Sequence, residues 1–184
     1  KRAYNLNIIL VEPKGPINVG SIARLCLNFQ VNQLRIVSPK CDIHSLEAKK
    51  MALKASNFID NSKVYSSLKQ SISDCDLVLA TCGKIDYKKD YEQDALENIS
   101  RWVSGFEKIN NLAIIFGRED RGLTNEELLL AQRVLTIKTD KNFPSLNLSH
   151  AVSIVLYELH RNPEIINNKM IKNYNLATSI QIDD

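Results

Sequence analysis

The sequence predicts an α/β protein built on a parallel sheet flanked by helices, and three of its features lead to this prediction. Short apolar runs rich in β-branched residues recur along the chain, as in strands that are covered on both faces. Segments with helical periodicity lie between these runs, so that strand and helix alternate. Most of the six glycines follow a predicted strand, at the sheet edge where open α/β folds bind ligands.

The same patterns place the elements in order. Five apolar runs predict strands at 6–11, 34–37, 77–80, 112–116 and 134–137. After Asn18, which is a good N-cap, apolar residues at helical spacing predict a first helix that carries Arg24 on its polar face. Further helices are predicted at 45–54, 94–106, 124–132 and 147–161. The fourth of these five helices begins with Thr124 and Glu127, which have the spacing of a capping box.

Length and composition indicate one globular domain. The chain has 184 residues, of which 44% are hydrophobic and 24% are charged, so a disordered or low-complexity protein is disfavoured. We expect the domain to span residues 1–162 and residues 163–184 to form an Asn-rich tail or the start of a truncated extension. The net charge of +3 permits an anionic partner without requiring one.

The composition also disfavours several classes of protein. The first apolar run is too short for a secretion signal or a membrane span, so we expect no membrane association. Four widely spaced cysteines and three scattered histidines disfavour a metal site or a disulfide framework, and they favour the cytoplasm. No G-x-G-x-x-G follows the first strand and no P-loop motif occurs, which disfavours ordinary dinucleotide binding and P-loop chemistry.

Five glycines are concentrated in the segments that follow predicted strands: Gly15, Gly20, Gly83, Gly117 and Gly122. Glycine lets the backbone adopt positive φ or approach a ligand closely, although ordinary turns use it for the same reasons. Three of the five prolines fall in the same set of loops. This concentration favours a binding site at one edge of the sheet over a set of unrelated turns.

Three of these loops, taken in order, resemble the signature motifs of the SpoU/TrmH branch of the SPOUT RNA methyltransferases. The loops read EPKGPINVGSIAR, IIFGREDRGLTNEEL and FPSLNLSHAV, and the similarity extends over about residues 6–161. The second and third motifs, with the loop ATCGK, are similar to the TrmJ-like group, which methylates the ribose 2′-hydroxyl of cytidine or uridine at position 32 of tRNA. The resemblance implies S-adenosyl-L-methionine (AdoMet) as methyl donor, tRNA as substrate, a homodimer and a C-terminal trefoil knot.

The resemblance also assigns residues to the site. The positions it implies for cofactor binding are Thr81, Cys82, Gly83, Gly117, Ile137, Pro144, Ser145 and Leu146. The catalytic positions are Arg24, Asn18, Glu119, Ser145 and Asn147. Apart from the resemblance, the cations that could contact RNA phosphates are Arg24, Lys14, Lys84, Arg118 and Arg121, although acidic residues share these loops and a mixed solvated rim is the alternative. No metal is implied.

Several of these residues have a plain structural alternative. A lone arginine on a polar helix face is ordinarily solvated. We favour a role in which Arg24 grips an RNA phosphate and stabilises the forming alkoxide, since a protonated guanidinium is a poor general base. Glu119 could orient Arg24 or Asn18, or it could remain a solvated carboxylate. Asn147 could equally be the N-cap of the last helix.

The sequence also leaves alternatives for the cofactor pocket, the RNA substrate and the reaction. Ile137 and Leu146 could sandwich an adenine, or they could simply pack in the core. The same motifs would suit an rRNA 2′-O-methyltransferase, and a non-catalytic RNA-binding module could retain the fold. The sequence shows no aromatic-rich surface for stacking bases, which favours recognition of folded tRNA through its shape and backbone.

Overall fold

The structure is a computed structural model that describes residues 2–83 and 91–161. In chain order its elements are β1 (Asn5–Val11), α1 (Pro16–Asn28), β2 (Gln33–Val37), α2 (Leu46–Ala52), α3 (Ser56–Asp60), β3 (Lys63–Tyr65), α4 (Leu68–Ser71), β4 (Leu77–Cys82), β5 (Gln93–Ala95), α5 (Ile99–Ser104), β6 (Asn111–Phe116), α6 (Asn125–Leu128), β7 (Arg133–Thr136) and α7 (Leu148–His160). Lys84 and the expected tail at 163–184 lie outside the described residues.

The strands form one sheet in the order β3-β2-β1-β6-β4-β7-β5, and every pair of neighbours is parallel. All five apolar runs predicted as strands are strands, and the predicted α/β class with a parallel sheet is confirmed. β7 enters the sheet between β4 and β5, although the chain forms both of those strands earlier. The order of the strands in the sheet thus differs from their order along the chain.

The core lies on both faces of the sheet. On β1, Ile8 and Leu10 point to the face covered by α1, α2, α3, α5 and α7, whereas Ile9 and Val11 point to the face covered by α4 and α6. All four side chains are buried, so the run is apolar throughout instead of alternating with polar residues. This two-sided burial is the physical reason that an uninterrupted apolar run predicted these strands correctly.

The first helix begins earlier than predicted. It starts at Pro16 with Gly15 as N-cap, so the prediction that Asn18 caps it is wrong. Proline is favoured in the first turn because its fixed φ suits the helix and its missing N–H would be unpaired there anyway. Gly20, expected in a loop, lies buried within α1, and a Cβ there would sit 2.3 Å from the carbonyl oxygen of Ala48. This glycine therefore serves close packing of α1 against α2.

The predictions differ most from the structure where the chain has no continuous apolar run. The short strands β3 and β5 were not predicted, because neither contains an apolar run and pairing with a neighbouring strand defines each of them. The predicted helix 94–106 consequently divides into β5, a 3₁₀ turn and α5. The predicted helix 124–132 keeps only the first turn, α6, although its capping box between Thr124 and Glu127 is confirmed.

Candidate functional site

A cavity of about 510 Å³ opens at the carboxyl edge of β4, β6 and β7. Its walls come from the end of β4, the loop after β6 and the loop that joins β7 to α7. The structure brings all eight predicted cofactor positions together in this wall: Thr81, Cys82, Gly83, Gly117, Ile137, Pro144, Ser145 and Leu146. Three separate loops meet here because parallel strands point their carboxyl ends to the same edge.

The loop after β6 folds back tightly on itself and needs two glycines. The backbone amide of Gly122 donates to the carbonyl of Arg118 at 2.9 Å, and Arg118 donates in return to Gly122 at 3.3 Å. Gly122 has a φ of 67°, which few side chains tolerate. A Cβ on Gly117 would lie 2.3 Å from the carbonyl carbon of Gly122. Both glycines therefore shape one wall of the cavity.

Arg118 ties this loop to two other parts of the chain. Its Nε donates to Glu12 at 2.6 Å, and a second guanidinium nitrogen donates to Glu127 at 2.7 Å. Only 10% of the Arg118 side chain is exposed. The hydrogen bond and the charge of Arg118 hold the pKa of Glu12 below its ordinary value. Carboxylates of the protein already occupy the guanidinium, and the RNA contact expected of Arg118 stays a prediction.

Glu119 binds the backbone immediately before α1. Its carboxylate accepts from the backbone amide of Lys14 at 3.1 Å and from that of Gly15 at 3.0 Å. An acidic group at a helix N-terminus satisfies unpaired N–H groups and complements the helix dipole. No hydrogen bond joins Glu119 to Arg24 or Asn18; its partners among the described residues are the backbone amides of Lys14 and Gly15. It is also not a solvated carboxylate, because two backbone amides of the first motif donate hydrogen bonds to it.

Asn147 joins the third motif to the first. Its Oδ1 accepts from the backbone amide of Ser149 at 2.9 Å, and it is the N-cap of α7. Its Nδ2 donates to Oδ1 of Asn18 at 3.2 Å. The structural alternative for Asn147 is confirmed, and the same side chain also links the two motifs. Ser145 is exposed at the cavity wall, and its hydroxyl has no hydrogen bond to any described residue.

The predicted RNA-contacting cations divide into two groups. Lys14 forms an exposed ion pair with Asp120 at 2.8 Å. Arg24 and Arg121 are exposed, and neither forms an ion pair with a residue that the structure describes. Arg121 lines the cavity, but Arg24 does not. Arg24 follows Asn18 by six residues, which corresponds to about 9 Å along the helix axis. Within one chain, Arg24 is therefore not part of the cavity wall.

Sequence reasoning missed two features of the site. The carboxylates Glu12 and Glu127 lie within the first and second motifs, but only the folded chain shows that both of them hold Arg118. Phe143 was overlooked as well, although it is 77% exposed in the loop that carries Pro144 to Leu146 into the cavity wall. A phenylalanine between Asn142 and Pro144 in a lysine-containing loop was the available signal.

Three further findings concern the described ranges 2–83 and 91–161. No group of three or more His, Cys, Asp or Glu side chains is placed there to hold a metal ion. None of the helices described is long and apolar enough to cross a membrane. The four cysteines, all within these ranges, form no disulfide.

Comparison with known proteins identifies the family. The sequence model of the SpoU rRNA Methylase family matches residues 5–157. The tRNA (cytidine-2′-O-)-methyltransferase TrmJ of Methanocaldococcus jannaschii is 39% identical over 155 residues, which cover 84% of this chain and 67% of the relative. The enzyme of the same name from Sulfolobus acidocaldarius is 41% identical over 158 residues, covering 85% and 66%. The chain thus spans about two thirds of the length of these relatives.

Solved structures agree with the sequence comparison. A probable methylase family protein from Haemophilus influenzae superposes with a TM-score of 0.81 at 33% identity, covering 91% of this chain and 70% of that one. TrmJ from Z. mobilis superposes with a TM-score of 0.75 at 28% identity, covering 88% and 70%. The chain therefore belongs to the SpoU rRNA Methylase family, as its three loop motifs predict.

Proposed function

We propose that this chain is an AdoMet-dependent methyltransferase that modifies a ribose 2′-hydroxyl of tRNA, at cytidine or uridine 32 of the anticodon loop. The proposal rests on the cavity at the carboxyl edge of the sheet. Loops of the second and third motifs and the end of β4 form its wall. The relatives named TrmJ, which share about two fifths of the aligned residues, support tRNA as substrate.

The cavity fits the proposed cofactor in size and in chemistry. Its 510 Å³ lies within the range of about 300 to 1,000 Å³ that is usual for small-molecule sites. Ile137 and Leu146 would flank the adenine, and backbone groups of the three loops would bind its polar edge. Around the ideal Cβ position of Gly83 there is no other atom within 4 Å, which leaves open space at the wall. Bound AdoMet supplies an electrophilic methyl group on a sulfonium sulfur.

Arg24 would act on the RNA. An exposed guanidinium without a carboxylate partner among the described residues is available to bind a phosphate through two parallel hydrogen bonds. Held beside the reacting ribose, the same charge would stabilise the oxygen as its proton leaves. The protein then needs only to position the ribose against the methyl group and to supply a positive charge, because orientation of the reactants accounts for much of the rate in such transfers.

The position of Arg24 leads us to propose a homodimer as the active form. Arg24 lies on one exposed stripe of α1 with Ile17, and the neighbouring helix α7 exposes Ile154 and Tyr157. A second copy packed on these apolar side chains would remove them from water. The guanidinium, which does not line the cavity of its own chain, would then act at the cavity of the other subunit.

Methyl transfer from tritium-labelled AdoMet to unmodified tRNA tests the reaction. Wild-type protein should label the tRNA, and a transcript with a 2′-deoxy nucleotide at the target should stay unlabelled. Arg24→Ala should lower the rate by about 10² to 10³ fold while the fold is retained. The matched control is Arg101→Ala, which removes another exposed arginine and should leave the rate unchanged. Labelling of the deoxy transcript, or labelling of rRNA alone, would refute the proposal.

Mixed dimers test whether Arg24 acts between subunits. Leu146→Arg should block the cavity, and Arg24→Ala should leave it intact. If Arg24 acts at the other subunit's cavity, mixing the two inactive variants should restore about one quarter of the wild-type rate, because half of the dimers gain one complete site. If Arg24 acts within its own chain, the mixture stays inactive.

A further inference from the structure

Phe143 is more exposed than any other large apolar side chain in the described part of the chain, with 77% of its surface in contact with water. It lies in the loop between β7 and α7, one residue before the segment Pro144 to Leu146 that enters the cavity wall. An aromatic ring is a large apolar group, and leaving it in water forfeits the free energy of burial. A ligand that covers the ring would recover this free energy.

Hydrogen bonds within the loop hold this region in an ordered turn. The Thr139 hydroxyl donates to the carbonyl of Pro144 at 3.2 Å. Asp140 accepts twice, from the Asn142 amide at its side chain and from the Phe143 amide at its carbonyl. The proline that follows restricts the backbone of Phe143 to extended conformations. Because the turn is already formed, little ordering of the backbone is needed when a ligand binds.

The charges in this loop favour an anionic ligand. Lys138 and Lys141 are exposed, and neither forms an ion pair with a residue that the structure describes. The carboxylate between them, Asp140, accepts a hydrogen bond within the turn. Between residues 138 and 147, Phe143 is the one exposed large apolar side chain, so the apolar area is that of a single ring. One aromatic ring beside unpaired cations is typical of sites that bind single-stranded nucleic acid.

We propose that Phe143 stacks on an unpaired nucleobase of the RNA substrate, while Lys138 and Lys141 contact the phosphates beside that base. The inference rests on the proposed function and narrows its substrate. The reacting ribose then belongs to a single-stranded loop, because a base can be stacked on a side chain only where it is free of its own helix. Phe143 thereby selects for a single-stranded region of the RNA, and it does not line the cavity proposed for the cofactor.

Three substitutions distinguish stacking from other contacts. Phe143→Ala should raise the dissociation constant for tRNA by about 5 to 150-fold, the effect of losing one stacked base. Phe143→Tyr should restore binding because it keeps a flat aromatic face, whereas Phe143→Leu should not. AdoMet affinity, measured by calorimetry, should be the same in all three variants. Since the side chain is exposed, the melting temperature should also stay the same.

Phe143→Trp provides a direct signal, because Trp102 is the single tryptophan of the natural chain. Binding of tRNA should quench the fluorescence of the new indole, and an abasic site next to the target nucleotide should abolish the quenching. Salt dependence separates the two kinds of contact. Lys141→Ala should reduce the salt slope of tRNA binding, whereas Phe143→Ala should leave the slope unchanged.

Three outcomes would overturn the inference. If wild type methylates tRNA and Phe143→Ala binds and methylates it equally well, the ring contacts no base and the proposed function stands. If Phe143→Ala weakens self-association in sedimentation and Phe143→Leu restores it, a second subunit covers the ring. If wild type neither binds nor methylates RNA, the proposed function fails as well.

Discussion

Replacing Arg118 with alanine should destabilise the protein far more than replacing Arg121, although both arginines belong to the same short loop. Arg118 is held between Glu12 and Glu127, and it also donates to the carbonyl of Gly122 at 3.2 Å. Arg121 is exposed and has no ion pair with the described residues. The two substitutions therefore remove equal charge from the same loop but very different sets of contacts.

The burial of the partners sets the size of the effect. The side chains of Arg118, Glu12 and Glu127 are exposed by only 10%, 20% and 15%. Removing one partner of a fully buried ion pair costs about 3 to 5 kcal/mol, and removing an exposed one costs about 1 kcal/mol or less. Glu12 keeps a second cation, Lys40, at 3.4 Å. We therefore expect Arg118→Ala to lower the free energy of unfolding by about 2 to 3 kcal/mol.

Thermal unfolding measures this difference. For a domain of this length, about 2 to 3 kcal/mol corresponds to a fall in melting temperature of roughly 4 to 12 °C. Arg121→Ala should change the free energy of unfolding by less than about 0.5 kcal/mol. Adding Glu12→Gln and Glu127→Gln to Arg118→Met should recover much of the loss, since no unpaired carboxylate then remains. AdoMet affinity should fall with Arg118→Ala, because the loop forms one wall of the cavity.

The pH dependence has a definite sign. The pKa of Glu12 is lowered in the folded state, so this pair contributes stability above the unfolded carboxyl pKa of about 4.3 and loses it as the pH falls further. The difference between wild type and Arg118→Ala should therefore shrink below that pH. Equal melting temperatures for Arg118→Ala and Arg121→Ala at neutral pH would refute the reasoning, as would a difference that persists unchanged at pH 2.

Three further predictions rest on other contacts. Gly117→Ala should abolish AdoMet binding in calorimetry, because the added Cβ would overlap the loop backbone. Gly83→Ala is the control, since its Cβ meets no atom within 4 Å and the variant should stay folded. A folded Gly117→Ala protein with normal AdoMet affinity would contradict this prediction. Asn147→Ala should cost about 1 kcal/mol in urea unfolding by removing the cap of α7, and Asn147→Ser should cost less; equal costs would argue against capping. Hydrogen bonding to Arg35 lowers the pKa of Asp74, so Asp74→Asn should flatten the loss of stability below about pH 4, and an unchanged acid slope would contradict this.

Local patterns predicted the edge of the sheet at which the cavity lies, and the resemblance to the SpoU/TrmH branch supplied its wall positions, Ile137 and Leu146 among them. Gly83 and Gly117 each follow an apolar run that forms a strand, and parallel strands place their ends at one edge. Convergence of these loops therefore follows from the strand assignments and needs no knowledge of side-chain contacts. The N-cap alternative for Asn147 was available for the same reason, because the residues it caps lie within three positions.

Contacts between distant parts of the chain could not be predicted in this way. Glu119 accepts hydrogen bonds from the two residues that precede a helix more than 100 residues earlier in the chain, and Arg118 faces inward because Glu12 lies at the end of an adjacent strand. In sequence, both looked like ordinary charges of a solvated loop. The apolar period indicated which face of α1 is buried but not where the helix lies relative to the cavity, so the absence of Arg24 from the cavity wall could not be foreseen.

The sequence by itself determined which loops form the site. Strand periodicity and the positions of glycine and proline are local features of a few residues, and they can be identified without knowing how the chain packs. Tertiary structure decided which charges in those loops remain free. A charged side chain at a sheet edge can face solvent or a carboxylate, and burial beside a particular partner, here Glu12 and Glu127 around Arg118, determines the outcome. That partner is set by strand order, which no local pattern specifies.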